Sequence, residues 1–357
     1  MATARKLPSG NYRVRQYVGE ENGKKIYKSF TAPTKKEAEF AAAEFMLTKK
    51  DKPISPKMTV GEAIDRYIVT RDPVLSPATI RGYDVIRRCR FCGIMAIPLV
   101  SLDNEQIQVA VNIDSATHNP KSVRNAYGLL SATLREYAPD FTPRVKLPPP
   151  KKHVIIIPER EDVKNMLQVC SVPQDRKRGR QRDGKLLSVV IMLDAVLGLR
   201  RSEICALEWT DIDFECGRVH IQRAIVQNKN GEWVVKGTKS YEGDRILNVP
   251  AYLLDAMSSI PQAHNRIVPM TPSALGNRFR RLAKSLSLPE GMHSLRHYNA
   301  SVMLELGIPD QYAMELMGHA TPHMLKTVYQ HTMTEGRKQR DTAVEKYFAD
   351  LVDPENI

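Results

Sequence analysis

The chain has 357 residues and a formal net charge of +13, from 53 Lys and Arg against 40 Asp and Glu. This length is enough for two or three domains, and the positive excess favours a polyanionic partner. No apolar segment is long enough to cross a bilayer or to act as a signal peptide, so we expect a cytosolic protein with no membrane partner.

Residues 1–52 are predicted to form a small α+β domain. Residues 11–18 and 25–31 alternate between apolar and polar side chains, as strands do. Thr34 and Glu37 have the spacing of a capping box, which predicts the start of a helix. The strands are rich in basic and aromatic residues that could contact nucleic acid or simply face solvent. The residues expected to make such contacts are Arg13, Arg15, Tyr17 and Lys28.

Residues 57–138 are predicted to be wholly helical. Thr59 and Glu62 form a second capping box, and prolines begin helices at Pro77 and Pro120. A further helix is predicted to begin at Asp103, and the helix at Pro120 has an apolar stripe that predicts a buried face. The helix at Pro77 carries a cluster of arginines. Those expected to contact nucleic acid are Arg81, Arg87 and Arg88.

Residues 139–152 are predicted to be a linker. Pro143 and the proline run at 148–150 interrupt any helix, so we expect an extended, semi-rigid segment. Such a linker would let the parts on either side close around a duplex.

Residues 153–357 combine helical patterns with a small antiparallel sheet. An apolar helix is predicted at 186–197, and a Gly-marked break separates it from Arg200. A basic insertion at 175–185 precedes that helix, and the tail at 335–357 has an amphipathic pattern. Strands are predicted where apolar and polar residues alternate, at 218–226, 232–235 and 245–249.

Four segments of this C-terminal part carry arginine, histidine and tyrosine in a specific order. They read Leu-Gly-Leu-Arg-Arg-Ser-Glu-Ile at 197–204, His-Ser-Leu-Arg-His at 293–297, Leu-Met-Gly-His at 316–319 and Tyr-Gln-His at 329–331. Together they resemble the tyrosine recombinases, the phage integrase family. The resemblance implies a multidomain fold. Its parts would be an arm-type DNA-binding domain of a three-stranded sheet plus helix (1–52), an all-α core-binding domain (57–138) and a mainly α catalytic domain with a small antiparallel sheet (153–357).

The chemistry of phosphodiester cleavage suggests roles for these residues. Paired guanidinium donors fit two phosphate oxygens where negative charge develops, so Arg200 and Arg296 are expected to hold the phosphate. Tyr329 is the expected nucleophile, with His293 as its base and His319 as a phosphate donor. The departing 5′ oxygen also needs an acid, because an alkoxide is a poor leaving group.

In the family that acid is a lysine on a β-hairpin turn, which the resemblance assigns to Lys239. Its distance from Arg245 fits the family hairpin, and Lys236 is the rival candidate. His297 and His331 flank the site and are expected to be scaffolding.

The resemblance implies two in-line displacements through a 3′-phosphotyrosyl link, with no cofactor and no metal. Cys89 and Cys92 have a spacing seen in zinc sites, but two further ligands at regular spacing are not evident. The five cysteines are scattered in a large chain and are expected to be free thiols.

The expected partners are double-stranded core and arm sites, bound by a homo-tetramer in the cytoplasm at the nucleoid. A host DNA-bending protein and an excisionase could take part. The tail could dock on a neighbouring protomer or fold back on its own domain. The favoured function is integration and excision of a phage or conjugative element. A type IB-like topoisomerase and a DNA-binding regulator that no longer cuts are the alternatives.

Overall fold

In the computed structural model, each of the three predicted parts has an apolar core of its own. The structure describes residues 4–21, 24–48, 57–151, 156–171, 184–237, 243–288, 291–318, 341, 342, 344 and 345. No helix in these ranges is long and apolar enough to span a bilayer. The predicted multidomain fold class is confirmed.

The N-terminal part is an antiparallel sheet covered by one helix. Its elements are β1 (Arg5–Lys6), β2 (Tyr12–Glu21), β3 (Lys24–Ala32) and α1 (Lys35–Thr48), with the strands in the order β1-β2-β3. Val14 and Phe30 are cross-strand partners and pack with Ala38 and Ala42 of α1. Because side chains alternate along a strand, α1 covers one face of the sheet and leaves the opposite face to solvent.

The second part is a bundle of four helices. They are α2 (Val60–Arg71), α3 (Pro77–Cys89), α4 (Asn104–Thr117) and α5 (Pro120–Tyr137). The predicted starts are confirmed: Thr59 and Asp103 close capping boxes, and the Asn119 side chain accepts a hydrogen bond from the backbone of Ser122 at 2.9 Å. The predicted stripe of α5 is buried through Val123, Ala126, Leu130 and Leu134.

The linker is extended, as predicted, but it lies against the helical bundle. The side chain of Gln108 in α4 pairs with both backbone groups of Lys146, at 2.6 and 3.1 Å. Arg124 of α5 donates to the backbone oxygen of Pro148 at 2.9 Å. These side chains satisfy backbone groups that a proline-rich segment cannot pair within itself.

The C-terminal part packs helices around a central apolar helix. The helices are α6 (Arg160–Ser171), α7 (Gly184–Ala195), α8 (Arg201–Ile204), α9 (Ala251–Ser258), α10 (Pro272–Ser285), α11 (His293–Glu305) and α12 (Asp310–Met317). The strands are β4 (Ile212–Asp213), β5 (Arg218–Ile221), β6 (Arg223–Gln227), β7 (Trp233–Gly237) and β8 (Arg245–Asn248). Val190, Ile191 and Leu193 of α7 are fully buried, which makes α7 the centre of the core.

The predicted single strand at 218–226 is divided in the structure. It breaks at Gln222, whose side chain donates to Asp211 at 2.8 Å. As a result β4, β5 and β8 form one antiparallel sheet, while β6 and β7 form a separate hairpin. Sequence alternation alone does not reveal this break, because it depends on a side-chain contact to the segment before the sheet.

Candidate active site

Arg200 stands at a turn between α7 and α8. The turn passes through Gly198, which has φ +62°, and a Cβ there would lie 3.1 Å from the Asn299 side-chain oxygen. The Arg200 guanidinium donates through Nη1 to Glu203 Oε1 at 2.6 Å and through Nη2 to the Gly318 oxygen at 2.8 Å. Its side chain is 37% exposed, so part of the guanidinium remains accessible to a ligand.

Arg296 lies behind Arg200 on the first turn of α11. It is 1% exposed and donates to the backbone oxygens of Gly198 and Met317. Burial, followed by the charge of Arg200, lowers the pKa of Arg296 to about 9. The guanidinium therefore keeps its charge at neutral pH. The structure thus brings the two predicted phosphate ligands together. The Gly198 oxygen accepts a hydrogen bond from Arg296, and Arg200 follows Gly198 by two residues.

Glu203 is a buried carboxylate that the sequence reasoning missed. It accepts the backbone N–H of Arg200 at 2.9 Å, the Arg200 guanidinium at 2.6 Å and Arg245 Nη2 at 3.0 Å. Burial would raise the pKa of Glu203, but Arg245 and Arg200 outweigh it and hold the pKa below its ordinary value. Glu203 is therefore an ionised counter-charge shared by two arginines.

The end of α12 is where the arginines converge. Arg245, Arg296 and Arg200 donate to three consecutive backbone oxygens, those of Leu316, Met317 and Gly318 respectively. The last carbonyls of a helix have no intrahelical partner and carry the negative end of the helix dipole. The three arginines therefore fix the backbone that leads directly to position 319.

His293 is the first residue of α11 and lies against His297, with ring centroids 4.5 Å apart. Loss of water around its ring, together with the charges of Arg296 and Arg200, lowers the pKa of His293. A neutral imidazole can accept a proton, which is the property that a general base requires.

His319, Tyr329 and Lys239 lie outside the described residues, as do most of the basic insertion and most of the tail. Their neighbours are described. Gly318 caps α12 with φ +60°, and Gly243 is buried at the end of the segment that contains Lys239. The roles of the three residues stay predictions.

A cavity of about 350 Å³ opens beside Arg200. Lys236, the rival candidate for the acid, lines it with Glu203 and Gly318, and Ser76, immediately before α3, lines it too. The helical bundle and the C-terminal part thus meet at this cavity. Among the residues that the structure describes, no group of three or more His, Cys, Asp or Glu is arranged to hold a metal ion.

The N-terminal candidates divide between the two faces of the sheet. Arg13, Arg15 and Tyr17 are exposed on the face opposite α1, where the guanidinium of Arg15 lies 5.2 Å from the ring centre of Tyr27. Lys28 pairs with Gln16 in the register and therefore lies on the α1 side, with its ammonium 4.3 Å from the Phe45 ring centre. The structure brings the first three together and separates Lys28 from them.

The arginines of α3 differ in whether their side chains already form ion pairs within the protein. Arg87 pairs with Asp65 at 2.9 Å and donates to the Gly61 oxygen. Arg88 pairs with Asp84 at 2.8 Å on the exposed helix surface. Arg81 is exposed and has no ion pair among the described residues. All three stay predicted DNA contacts, and Arg81 has the guanidinium most available for one.

Comparisons with known proteins agree on one family. Residues 159–335 match the model of the phage integrase family. A tyrosine recombinase XerC-like protein of Caldanaerobacter subterraneus subsp. tengcongensis is 25% identical over 380 aligned positions, covering 94% of this chain and 95% of the relative. The tyrosine recombinase XerA of Thermococcus onnurineus is 27% identical over 213 positions, covering 56% and 67%.

Solved structures share the fold of this chain. The Tn1549 transposon integrase in complex with transposon right end DNA has a TM-score of 0.64 at 18% identity, covering 81% of this chain and 100% of that one. A lambda integrase tetramer bound to a Holliday junction has a TM-score of 0.54 at 19% identity, covering 91% and 94%. The family match over residues 159–335 and the XerC-like relative place the chain in the phage integrase family, the tyrosine recombinases.

Proposed function

We propose that the chain is a site-specific DNA recombinase that integrates and excises a mobile element. The observation that carries this proposal is the pairing of Arg200 with the buried Arg296 at the Gly198 turn, beside an open cavity. Fixed donors of this kind stabilise the negative charge that builds on a phosphate during attack. The XerC-like relative and the Tn1549 integrase fold support the same activity.

The proposed first step conserves the energy of the phosphodiester. The Tyr329 oxygen bonds to phosphorus, the bond from phosphorus to the 5′ oxygen breaks, and the phenol proton passes to His293. Lys239 gives a proton to the departing 5′ oxygen. Arg200 and Arg296 hold the non-bridging oxygens, with His319 as a further donor. A 5′-hydroxyl from a second duplex then reverses the step and joins the new strands.

Covalent capture on a nicked suicide duplex tests the nucleophile. Tyr329→Phe should leave no protein–DNA adduct while duplex affinity is retained, because only the attacking oxygen is removed. Tyr312→Phe is the matched control, since Tyr312 is an exposed tyrosine on α12 and should form adduct normally. Adduct formed by Tyr329→Phe at the normal rate would contradict the assignment.

Strand transfer distinguishes a recombinase from a topoisomerase of similar chemistry. The protein should join strands of two different duplexes that each carry a core site. Relaxation of supercoiled DNA without any joined product would favour the topoisomerase instead.

The partners proposed for this reaction are double-stranded core and arm sites. The exposed sheet face with Arg13, Arg15 and Tyr17 supports arm binding, because a sheet can enter the major groove. The lambda integrase tetramer supports a tetramer on DNA for this chain as well. A DNA-bending host protein and an excisionase remain proposals, as does a location at the nucleoid.

A further inference from the structure

Arg245 is a buried arginine that connects three segments around the candidate active site. Its side chain is 5% exposed. Nε donates to the Leu316 oxygen at 2.9 Å, Nη1 to the Gly243 oxygen at 3.2 Å and Nη2 to Glu203 Oε2 at 3.0 Å. All three nitrogens are therefore bonded to protein groups.

These bonds require the planar fork of a guanidinium. The acceptors belong to α12, to the segment before β8 and to α8, which are remote in sequence. A lysine ammonium would keep the positive charge beside Glu203, but its compact head cannot direct donors to three such acceptors at once. Charge and geometry can thus be separated by replacing Arg245 with Lys.

Glu203 transmits the effect of Arg245 to the phosphate ligand. Its Oε2 accepts from Arg245 and from the Arg200 backbone, while Oε1 accepts from the Arg200 guanidinium. Without the hydrogen bond from Arg245 to Oε2, the Glu203 carboxylate can rotate. Its hydrogen bonds to the Arg200 backbone and to the Arg200 guanidinium then weaken. Arg200 also lies near the like charge of Arg296, which acts to push it away.

We propose that Arg245 is a positioning residue that acts through Glu203 to hold Arg200 in place at the scissile phosphate. This inference rests on the proposed function, because it takes Arg200 as a ligand of that phosphate. Arg245 does not touch the substrate. Its contribution is to keep the Arg200 donors where negative charge develops.

Single-turnover cleavage of a suicide duplex by Arg245→Lys tests the proposal. A displacement of catalytic donors by about 1 Å lowers rates by about a hundredfold, so we expect a loss of that order with unchanged duplex affinity. Arg218→Lys, at an exposed arginine on the adjacent strand β5, is the control and should cleave normally. A normal rate for Arg245→Lys overturns the proposal.

Chemically altered substrates separate positioning from a general loss of structure. A methylphosphonate at the scissile position develops less negative charge, so the ratio of wild-type to Arg245→Lys rates should shrink on it. A 5′-bridging sulfur removes the need for an acid but not for Arg200, so there the ratio should stay as on normal DNA. Equal ratios on all three substrates, or rescue by the bridging sulfur alone, overturn the proposal.

Tyr329→Phe in the same assay keeps the two proposals distinguishable. If Tyr329→Phe still forms adduct, the proposed function fails. If it does not, and Arg245→Lys cleaves normally, only the role of Arg245 fails. Urea unfolding of Arg245→Lys is measured in parallel, and the rate comparison is made where the variant is fully folded.

Discussion

Glu203 and Asp194 are two buried carboxyl groups near Arg296, and replacing each by its amide gives two variants that can be compared directly. Glu203 has three hydrogen bonds from two arginines, whereas neither oxygen of the buried Asp194 has a hydrogen-bond partner among the described residues. Burial raises the pKa of Asp194 well above its usual value and outweighs the charge of Arg296. We therefore expect Glu203→Gln to destabilise the protein and Asp194→Asn not to destabilise it.

The magnitudes follow from the contacts that each substitution removes. A hydrogen bond to a charged group contributes about 1.5–3 kcal/mol, and removing one partner of a buried ion pair costs about 3–5 kcal/mol. Glu203→Gln removes the charge that Arg200 and Arg245 share, so we expect a loss of about 3–5 kcal/mol. Below about pH 4, where Asp194 is protonated in both the folded and the unfolded chain, Asp194→Asn exchanges one neutral, unbonded group for another, so we expect a change of less than about 1 kcal/mol there.

The two variants should also differ in how their stability depends on pH. The raised pKa of Asp194 means that its contribution is full below the unfolded value, near 4, and is lost as pH rises through the folded pKa. The free energy of unfolding of Asp194→Asn, relative to that of the wild type, should thus increase as pH rises above about 4. Glu203 has a lowered pKa, so its contribution is present at neutral pH and is lost in acid, as pH falls through the folded pKa.

Urea unfolding of both variants between pH 4 and pH 7, with suicide-duplex cleavage at pH 7, measures these effects. The deficit of Glu203→Gln should be largest at pH 7 and shrink in acid. An Asp194→Asn variant that is as unstable and as inactive as Glu203→Gln would refute the reasoning, because it would mean that Asp194 is the ionised partner of Arg296.

Three further predictions concern the N-terminal part and the helical bundle. Arg90→Met should cost about 3–5 kcal/mol in urea unfolding, because Arg90 and Asp114 form a buried ion pair, and adding Asp114→Leu should recover much of the loss. Arg81→Ala should reduce the slope of log affinity against log salt by about 0.9 without a change in melting temperature, whereas Arg87→Ala should lower the melting temperature because Arg87 is already paired. Deletion of residues 1–52 should impair recombination between full sites more than cleavage of a core site, and equal effects in the two assays would contradict arm binding.

The local features of the fold could be predicted because each depends on a few neighbouring residues. The capping box at Thr59 and Glu62 and the prolines at Pro77 and Pro120 fix helix starts through contacts within one turn. The face of the sheet on which Lys28 lies was not predicted by such local reasoning. Its position relative to Arg15 follows from the two-residue period together with the strand register, and the register is set by the turn between the strands.

The candidate site was only partly predictable for a different reason. Arg200 and Arg296 stand in short motifs. Glu203 stands in the same motif as Arg200, but its second partner, Arg245, is far away in sequence, and so is the Leu316 oxygen that Arg245 contacts. A glutamate three residues after Arg200 fits a solvated helix end equally well. A partial signal for Arg245 was present, since it begins a predicted strand directly after the turn that contains Lys239.

The arrangement of charge favours an anionic ligand at this site. Among the described residues, Arg200, Arg245 and Arg296 surround one ionised carboxylate, Glu203, because the burial of Asp194 favours its neutral form. The carbonyl dipoles at the end of α12 offset part of the remaining positive charge, but dipoles are weaker than ions. In the proposed reaction, a scissile phosphate supplies the missing negative charge at the exposed side of Arg200. Binding should therefore stabilise the C-terminal part, and this gain should fall in Arg200→Ala, where the excess charge and its accessible donor are both lost.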